Sequence, residues 1–185
     1  MTAWGWILVV IAVLVVAGAV AWAMSRGRTE RLRGRFGPEY DRSMTEMGSR
    51  RKAESQLADR QKRREQLEIR PLAPEARTRF AEEWQIVQSR FVDEPGDAVR
   101  GADALVIRVM RDRGYPMEDF EQRSSDVSVD HPHVADDYRA AHAISLAHDH
   151  DKASTEDLRQ AMVHYRSLFD ELLGRDDSAP MRQTG

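Results

Sequence analysis

The 185-residue chain carries 28 Lys and Arg against 31 Asp and Glu, a formal net charge of −3 at pH 7. The near-neutral total hides two halves of opposite sign, because Arg26 to Arg79 holds 16 basic and 9 acidic residues whereas Phe80 to Gly185 holds 12 and 22. The chain contains no cysteine, which excludes a cysteine nucleophile and agrees with a cytoplasmic location of its charged part.

The N-terminal stretch from Trp4 to Met24 contains no charged residue and is apolar or small throughout. An α-helix needs about 20 such residues to cross a hydrocarbon core about 30 Å thick. We therefore predict a transmembrane helix over residues 4–24. Trp4, Trp6 and Trp22 stand at its two ends, where indole rings favour the membrane interface, and they are the predicted interface anchors.

Two alternatives concern the same stretch. A cleaved signal peptide would explain the small residues Ala21 and Ala23 around Trp22, but it needs a basic start and a shorter apolar run. Small residues such as Ala19 and Ala23 could also bring two helices together as a weak homo-oligomer, but we favour the simpler interpretation that they fill an anchor. An uncleaved, single-pass anchor fits the sequence best.

Arginines follow the apolar stretch immediately, whereas no Lys or Arg precedes it. Cytoplasmic flanks carry the excess of basic residues, so we predict an N-terminus outside the inner or plasma membrane and a cytoplasmic C-terminal domain. The predicted contacts to anionic lipid headgroups are Arg26, Arg28, Arg31, Arg33 and Arg35. Nucleic acid is the less favoured partner of these arginines, because the membrane lipid lies closer.

Residues 25–73 are predicted to form a basic juxtamembrane segment with two parts. Ser25 to Pro38 contains three glycines and a proline among arginines, which predicts a flexible hinge. Glu39 to Glu68 lacks proline and is rich in helix-forming residues, which predicts one long polar stalk helix with few apolar positions. A two-stranded coiled coil is the less favoured interpretation, because sustained heptads are absent.

Residues 74–174 are predicted to form a small acidic helical bundle, so the fold class is all-α. Recurrence at three- and four-residue steps marks the inward face of each helix. These faces are Phe80, Trp84, Val87 and Phe91; Val99, Ala102, Val106, Val109 and Met110; Val134, Tyr138, Ala141 and Ser145; and Leu158, Met162, Tyr165, Phe169 and Leu172. Residues 175–185 have the composition of a disordered tail.

Capping residues predict where the helices of this bundle begin and end. The predicted N-caps are Asp93, Asp130 and Ser154, the last in a capping box with Asp157. Gly114 is predicted to end the helix that precedes it. The segment SSDVSVDHP, residues 124–132, is predicted to be irregular.

All six histidines fall between His131 and His164. Histidine is the commonest metal ligand, but the spacing lacks the His-Glu-x-x-His and the repeated Glu-x-x-His patterns of two well-known kinds of metal site. His148 and His150 are weak candidates for a metal ion, and we expect no cofactor. His142 and His164 are instead predicted to be hydrogen-bonded inside the bundle, near two tyrosines.

Catalytic motifs such as G-x-S-x-G or a phosphate-cradling glycine-rich loop are absent from the sequence. The favoured hypothesis is a non-enzymatic, single-pass membrane protein that presents a cytoplasmic interaction module to a protein partner. The alternative is a ligand- or metal-binding helical domain that uses the histidine-rich half, residues 131–164. Stoichiometric binding of zinc, nickel or iron in a calorimetric titration would favour the alternative.

Several short runs resemble a family of small bacterial proteins with a single membrane span. These runs are FGPEYD at 36–41, RGYP at 113–116, DFEQR at 119–123, DHP at 130–132, STEDLR at 154–159, HYR at 164–166 and LFD at 168–170. The similarity extends from Arg31 to Leu173. It implies a membrane or secreted protein, and the predicted orientation disagrees with the second of these. The resemblance transfers no activity and no site residue.

The uncharged N-terminus and the five arginines after residue 24 predict a cytoplasmic C-terminus. A reporter enzyme that works only outside the cytoplasm, fused after Gly185, should therefore be inactive in intact cells. Strong activity of that fusion would contradict the predicted orientation.

Overall fold

The computed structural model describes the backbone from Ala3 to Gly174, so the predicted tail at 175–185 lies outside the described residues. Side chains are described at Trp4, Ala12, Val13, Val15, Val16, Ala19, Trp22, Arg26 and Gly27, and from Thr29 to Gly174. Much of the predicted transmembrane segment therefore lies outside the described side chains. Among the described residues, no helix is both long enough and apolar enough to cross a membrane.

Eight α-helices and no strand make up the described part of the chain, which confirms the all-α fold class. The helices are α1 (Ala3–Phe36), α2 (Pro38–Met47), α3 (Arg50–Glu65), α4 (Pro74–Arg90), α5 (Pro95–Arg113), α6 (Phe120–Asp130), α7 (Ala135–Asp149) and α8 (Thr155–Leu172). The chain divides into two compact units, Met1–Ala58 and Asp59–Gly185, which we call unit 1 and unit 2. The division falls inside α3.

Helix α1 of unit 1 runs without a break through residues 25–36, so the prediction of a flexible hinge over Ser25–Pro38 is wrong. Gly27 and Gly34 lie inside this helix with open space where a side chain would be. A glycine inside a helix costs about 1 kcal/mol relative to alanine, which weakens a helix without ending it. The turn comes at Gly37, whose φ of 45° suits glycine, and Pro38 then starts α2.

The predicted stalk helix over residues 39–68 is also wrong as a single element. Helix α2 ends at Gly48, which takes the left-handed conformation with a φ of 59°, and α3 begins at Arg50. The apolar side chains of this region are few, but they come from three helices and are buried. These side chains are Leu32 and Phe36 of α1, Tyr40 of α2, and Ala53 and Leu57 of α3.

Unit 2 is built around one apolar core shared by α4, α5, α7 and α8. The indole of Trp84 in α4 stacks on the ring of Phe169 in α8, with ring centres 4.6 Å apart. The predicted inward faces of α5 and α8 are confirmed, because every residue named for them is buried. In α4 and α7 the ends of the predicted faces are only partly buried, at Val87, Phe91 and Ser145.

Helix α6 occupies most of the segment that was predicted to be irregular, so that prediction is wrong. Asp119 caps the helix by accepting a hydrogen bond from the backbone N–H of Gln122 at 2.8 Å. The residues that α6 buries include Ser124, Asp126 and Ser128, all nearly inaccessible to solvent. Because these buried residues are polar, the usual apolar period of a packed helix is absent from the sequence.

The end of α3 supplies the partners of this polar face within unit 2. Arg63 Nε donates to Asp126 at 3.2 Å, and Arg64 pairs with Asp130. Burial nevertheless raises the pKa of the Asp126 carboxyl, against the lowering effect of Gln122 and Arg63. Asp130, the last residue of α6, is thus held in a salt bridge with Arg64.

Two of the three predicted N-caps are wrong and one is confirmed. Helix α5 is capped at Glu94 instead of Asp93, and α7 at Val134 instead of Asp130. At the start of α8, Ser154 and Asp157 form the predicted capping box. Gly114 ends α5 as predicted, with a φ of 94°; a side chain there would approach the Glu68 carbonyl oxygen to 2.6 Å.

Replacing Trp84 by alanine should destabilise unit 2 by about 3–5 kcal/mol, because it removes a buried ring that stacks on Phe169. Chemical denaturation of the full chain in a neutral detergent, followed by circular dichroism, measures the effect. The matched control is Ile86→Ala on the same helix, whose side chain is exposed and should matter by no more than about 0.5 kcal/mol. Equal effects of the two substitutions would contradict the described packing.

Candidate functional site

The most distinctive feature of unit 1 is a stripe of polar and aromatic side chains along α1. Trp22, Arg26, Thr29 and Arg33 follow one another at steps of four, three and four residues, which places them on one helix face. A cavity of about 350 Å³ opens against this face. It is lined by Trp22, Arg26, Thr29, Glu30 and Arg33 of α1 and by Arg50 of α3. We call it the arginine cavity.

Two of its arginines are placed by aromatic rings. The guanidinium of Arg26 lies over the indole of Trp22, 5.0 Å from the ring centre, and that of Arg33 lies 5.6 Å from the ring centre of Tyr40. Arg33 also pairs with Asp41 at 3.2 Å, although both side chains are about two-thirds exposed. Ion pairs this exposed contribute little, so Arg33 can exchange its carboxylate for another anion at small cost.

The third arginine, Arg50, is positioned by the buried carboxylate of Glu54. One oxygen of that carboxylate, Oε1, accepts hydrogen bonds from Thr29 at 2.6 Å, from Arg50 at 2.9 Å and from Tyr40 at 3.1 Å. Arg50 also donates to the hydroxyl oxygen of Thr29. One acidic group therefore joins α1, α2 and α3 and fixes the wall of the cavity.

Electrostatics favour the ionised form of Glu54. Burial raises the pKa of its carboxyl, but the hydrogen bonds from Thr29, Arg50 and Tyr40 outweigh burial and hold that pKa below its usual value. The pKa of the Tyr40 hydroxyl is raised by burial and by its bond to Glu54, so Tyr40 stays a donor. The network is thus complete at neutral pH.

The structure brings together only some of the residues predicted to contact lipid. Arg26 and Arg33 line the arginine cavity, whereas Arg31 and Arg35 are exposed and do not line it. The side chains of Arg28 and Trp6 lie outside the described residues. Of the predicted interface anchors, Trp22 lines the cavity, and Trp4 is 79% exposed.

Sequence reasoning missed Arg50 because it assigned residues 39–68 to one helix, whose interior charges face solvent. The available signal was the basic run Arg50, Arg51 and Lys52, which begins two residues after Gly48. Once Gly48 ends α2, this run falls in the first turn of α3, which has no acidic residue. The N-terminal end of a helix is already electropositive, so three cations there favour a nearby anion.

The histidines of unit 2 make contacts that join helices. His131, at the end of α6, contacts Glu171 of α8 through Nδ1 at 2.7 Å and Arg113 of α5 through Nε2 at 3.4 Å. Because a guanidinium can only donate, His131 Nε2 accepts a hydrogen bond from Arg113. The N–H at Nδ1 then donates a hydrogen bond to the Glu171 carboxylate. His133 lies 3.3 Å from the same carboxylate. This cluster ties the loop before α7 to the last turn of α8.

The two histidines predicted to lie inside the bundle are partly buried. His164 contacts Asp137 through Nδ1 at 2.8 Å, and the ring of His142 stacks on Phe120 with centres 3.7 Å apart. Burial lowers the pKa of His142 and so favours its neutral form. Each of these rings therefore packs two helices together.

The weak metal candidates do not meet in one place with further ligands. The ring of His148 lies over Gly96 of α5, where a side chain would come within 2.1 Å of its Nε2, and His150 is exposed at the end of α7. Among the described residues, no group of three or more His, Asp or Glu side chains is arranged to hold a metal ion. The rings of His131, His142 and His164, in contrast, each contact a side chain of a neighbouring helix.

Comparisons with known proteins give no match to this chain. No family model, no curated protein and no solved structure is similar to it at a significant level. Three guanidinium groups beside an aromatic ring can bind an anion, and the hydroxyl of Thr29, which also lines the cavity, is engaged with Glu54.

The Glu54 network should make unit 1 pH-sensitive. Since the folded pKa of Glu54 lies below its unfolded value, its stabilisation is present above the unfolded pKa and is lost as pH falls through the folded pKa. Glu54→Gln should lower the stability of unit 1 at pH 7 by about 1–3 kcal/mol and remove this part of the acid dependence. Thermal melts of the full chain in neutral detergent between pH 7 and pH 3 measure both effects.

The matched control is Glu46→Gln, which removes an exposed carboxylate that pairs with Arg42 of its own helix α2. That variant should melt like the unsubstituted chain. If both variants shift the melt equally, the buried network does not hold unit 1 together.

Proposed function

We propose that this chain is a non-enzymatic, single-pass membrane protein that holds a basic helical unit against anionic lipid and presents an acidic helical bundle to a cytoplasmic protein partner. Residues 4–24 are its anchor, and its N-terminus lies outside. The membrane is the inner or plasma membrane of the cell.

One observation carries the proposal: a single helix, α1, contains both the uncharged residues 4–24 and the arginine-rich residues 26–35. A helix that leaves a hydrocarbon core without a break projects its next residues at headgroup level, 1.5 Å per residue. Trp22 stands at this transition, with the guanidinium of Arg26 over its ring. Tryptophan at the interface followed by arginine on the cytoplasmic side is the arrangement that membrane anchors favour.

Charge supports the lipid contact. Residues 26–58 hold nine Lys and Arg and five Asp and Glu, a net charge of +4 for unit 1. A basic residue near an anionic leaflet is attracted by about 1 kcal/mol, and the attraction falls off within a Debye length of about 8 Å at physiological salt. At a rise of 1.5 Å per residue, residues 26 and 28 of α1 lie about 3 and 6 Å beyond residue 24, within that distance.

The opposite charge of unit 2 supports a different partner for it. With the remaining 19 basic and 26 acidic residues, unit 2 carries a net charge of −7. An anionic leaflet repels such a surface, which leaves unit 2 available to a basic protein. The absence of catalytic motifs from the sequence and the helix-joining contacts of the histidines support a binding role over an enzymatic one.

An arginine at the centre of residues 4–24 should weaken anchoring. Leu14→Arg places a charge at the middle of the proposed span, where it costs about 2.5–3.5 kcal/mol on insertion scales. The full chain should stay in the membrane pellet after an alkaline carbonate wash, and a substantial part of the Leu14→Arg variant should appear in the supernatant.

The matched control is Leu146→Arg, the same change at an exposed position of α7, which should leave the chain in the pellet. Release of the unsubstituted chain by the carbonate wash would contradict the proposed anchor.

A further inference from the structure

We infer that the arginine cavity is a discrete binding site for the phosphate of one anionic phospholipid headgroup, held by Arg26, Arg33 and Arg50. This inference rests on the proposed function, because it takes unit 1 to lie at the membrane surface. A basic segment is attracted to a charged leaflet without any defined site or fixed number of bound lipids. The inference adds a defined site that binds one lipid per chain.

The three arginines line the cavity from two helices. Arg26 and Arg33 lie two turns apart on α1, and Arg50 enters from the first turn of α3. Arginine presents its N–H groups in a planar fork that matches phosphate oxygens. Arg26 has no carboxylate partner among the described residues, and its contact with the face of Trp22 leaves its N–H groups available for an anion.

Charge in the cavity favours an anion over a neutral ligand. The six lining residues include three arginines and one acidic residue, Glu30. Glu54 lies behind Arg50 and fixes its position, and the basic first turn of α3 adds to the positive potential. A zwitterionic headgroup would bring a cation toward these arginines, whereas a headgroup with a net negative charge would not.

Size and position favour a lipid over free phosphate. A volume of about 350 Å³ is near the lower end of the range for small-molecule sites, about 300–1,000 Å³, and suits a headgroup but not an acyl chain. Trp22 forms one wall, and an indole at the end of an apolar segment marks the depth of the headgroups. A lipid beside α1 therefore reaches the cavity with its tails still in the membrane.

Charge-matched variants separate a defined site from diffuse attraction. Replacing Arg26, Arg33 and Arg50 by glutamine removes three charges from the cavity. Replacing Arg31, Arg35 and Arg51 by glutamine removes three charges from exposed positions of the same two helices that do not line it. Diffuse attraction depends on the number of charges and should weaken equally in both, whereas a defined site is lost only in the first.

Native mass spectrometry of the full chain, released from neutral detergent micelles doped with phosphatidylglycerol or phosphatidylcholine, counts retained lipids. We expect one phosphatidylglycerol per chain, little phosphatidylcholine, and a loss of affinity of at least about tenfold in the cavity triple variant. The exposed triple variant should retain the lipid. Equal losses in the two triple variants, or equal retention of the two lipids, would overturn the inference.

Arg26→Gln alone keeps the test independent of folding, because it breaks no described ion pair; Arg50→Gln would leave Glu54 without one of its donors. The single variant should show unchanged far-ultraviolet circular dichroism and weaker lipid retention. Unchanged retention in this folded variant would count against the site. Displacement of the lipid by inorganic phosphate at equal concentration would overturn the assignment to a lipid headgroup.

The lipid count tests the defined site, and the carbonate wash tests the anchor, so the two claims can be rejected independently. A chain that stays in the washed membrane but retains lipid equally in both triple variants is anchored without a defined site, which rejects this inference alone. A chain that the wash releases rejects the proposed anchor, whatever the lipid count shows.

Discussion

The buried carboxylate of Glu54 is the contact on which unit 1 depends. Thr29, Tyr40 and Arg50 come from three helices, and all donate to one of its oxygens. A buried charge without partners costs several kcal/mol, whereas one that accepts three hydrogen bonds is stabilised, so the three donors and the acceptor require each other. The few apolar side chains of unit 1 add packing, but this network decides where Arg50 stands relative to α1.

Because α1 is one continuous helix, it fixes the positions of the arginines that follow residue 24. A flexible hinge would let the arginines after residue 24 take many positions, and they would act only through their number. In a continuous helix, Trp22, Arg26, Thr29 and Arg33 share one face, and the Glu54 network adds Arg50 to it. In unit 2 the corresponding constraint is apolar, since Trp84 stacks on Phe169 within one core.

Apolar period and capping residues were sufficient to predict much of unit 2. The inward faces of α5 and α8, the buried Trp84 and the Ser154 capping box follow from spacing alone. Two of the failures, the helix α6 and the arginine cavity, share a physical cause, which is the burial of polar groups. Helix α6 buries serines and an aspartate against arginines of α3, and the arginine cavity depends on a buried glutamate. Such contacts join residues far apart in the chain and leave no period in the sequence.

Hydrogen exchange over residues 25–36 of the full chain in lipid nanodiscs tests the central claim most directly. Helical amides that open only with the unit exchange slowly, whereas those of a flexible linker exchange at once. The account predicts slow exchange throughout this segment, and faster exchange there when Glu54 is replaced by alanine. Rapid exchange in the unsubstituted chain would contradict it, because the arginines would then lie on a linker and the cavity would have no fixed wall.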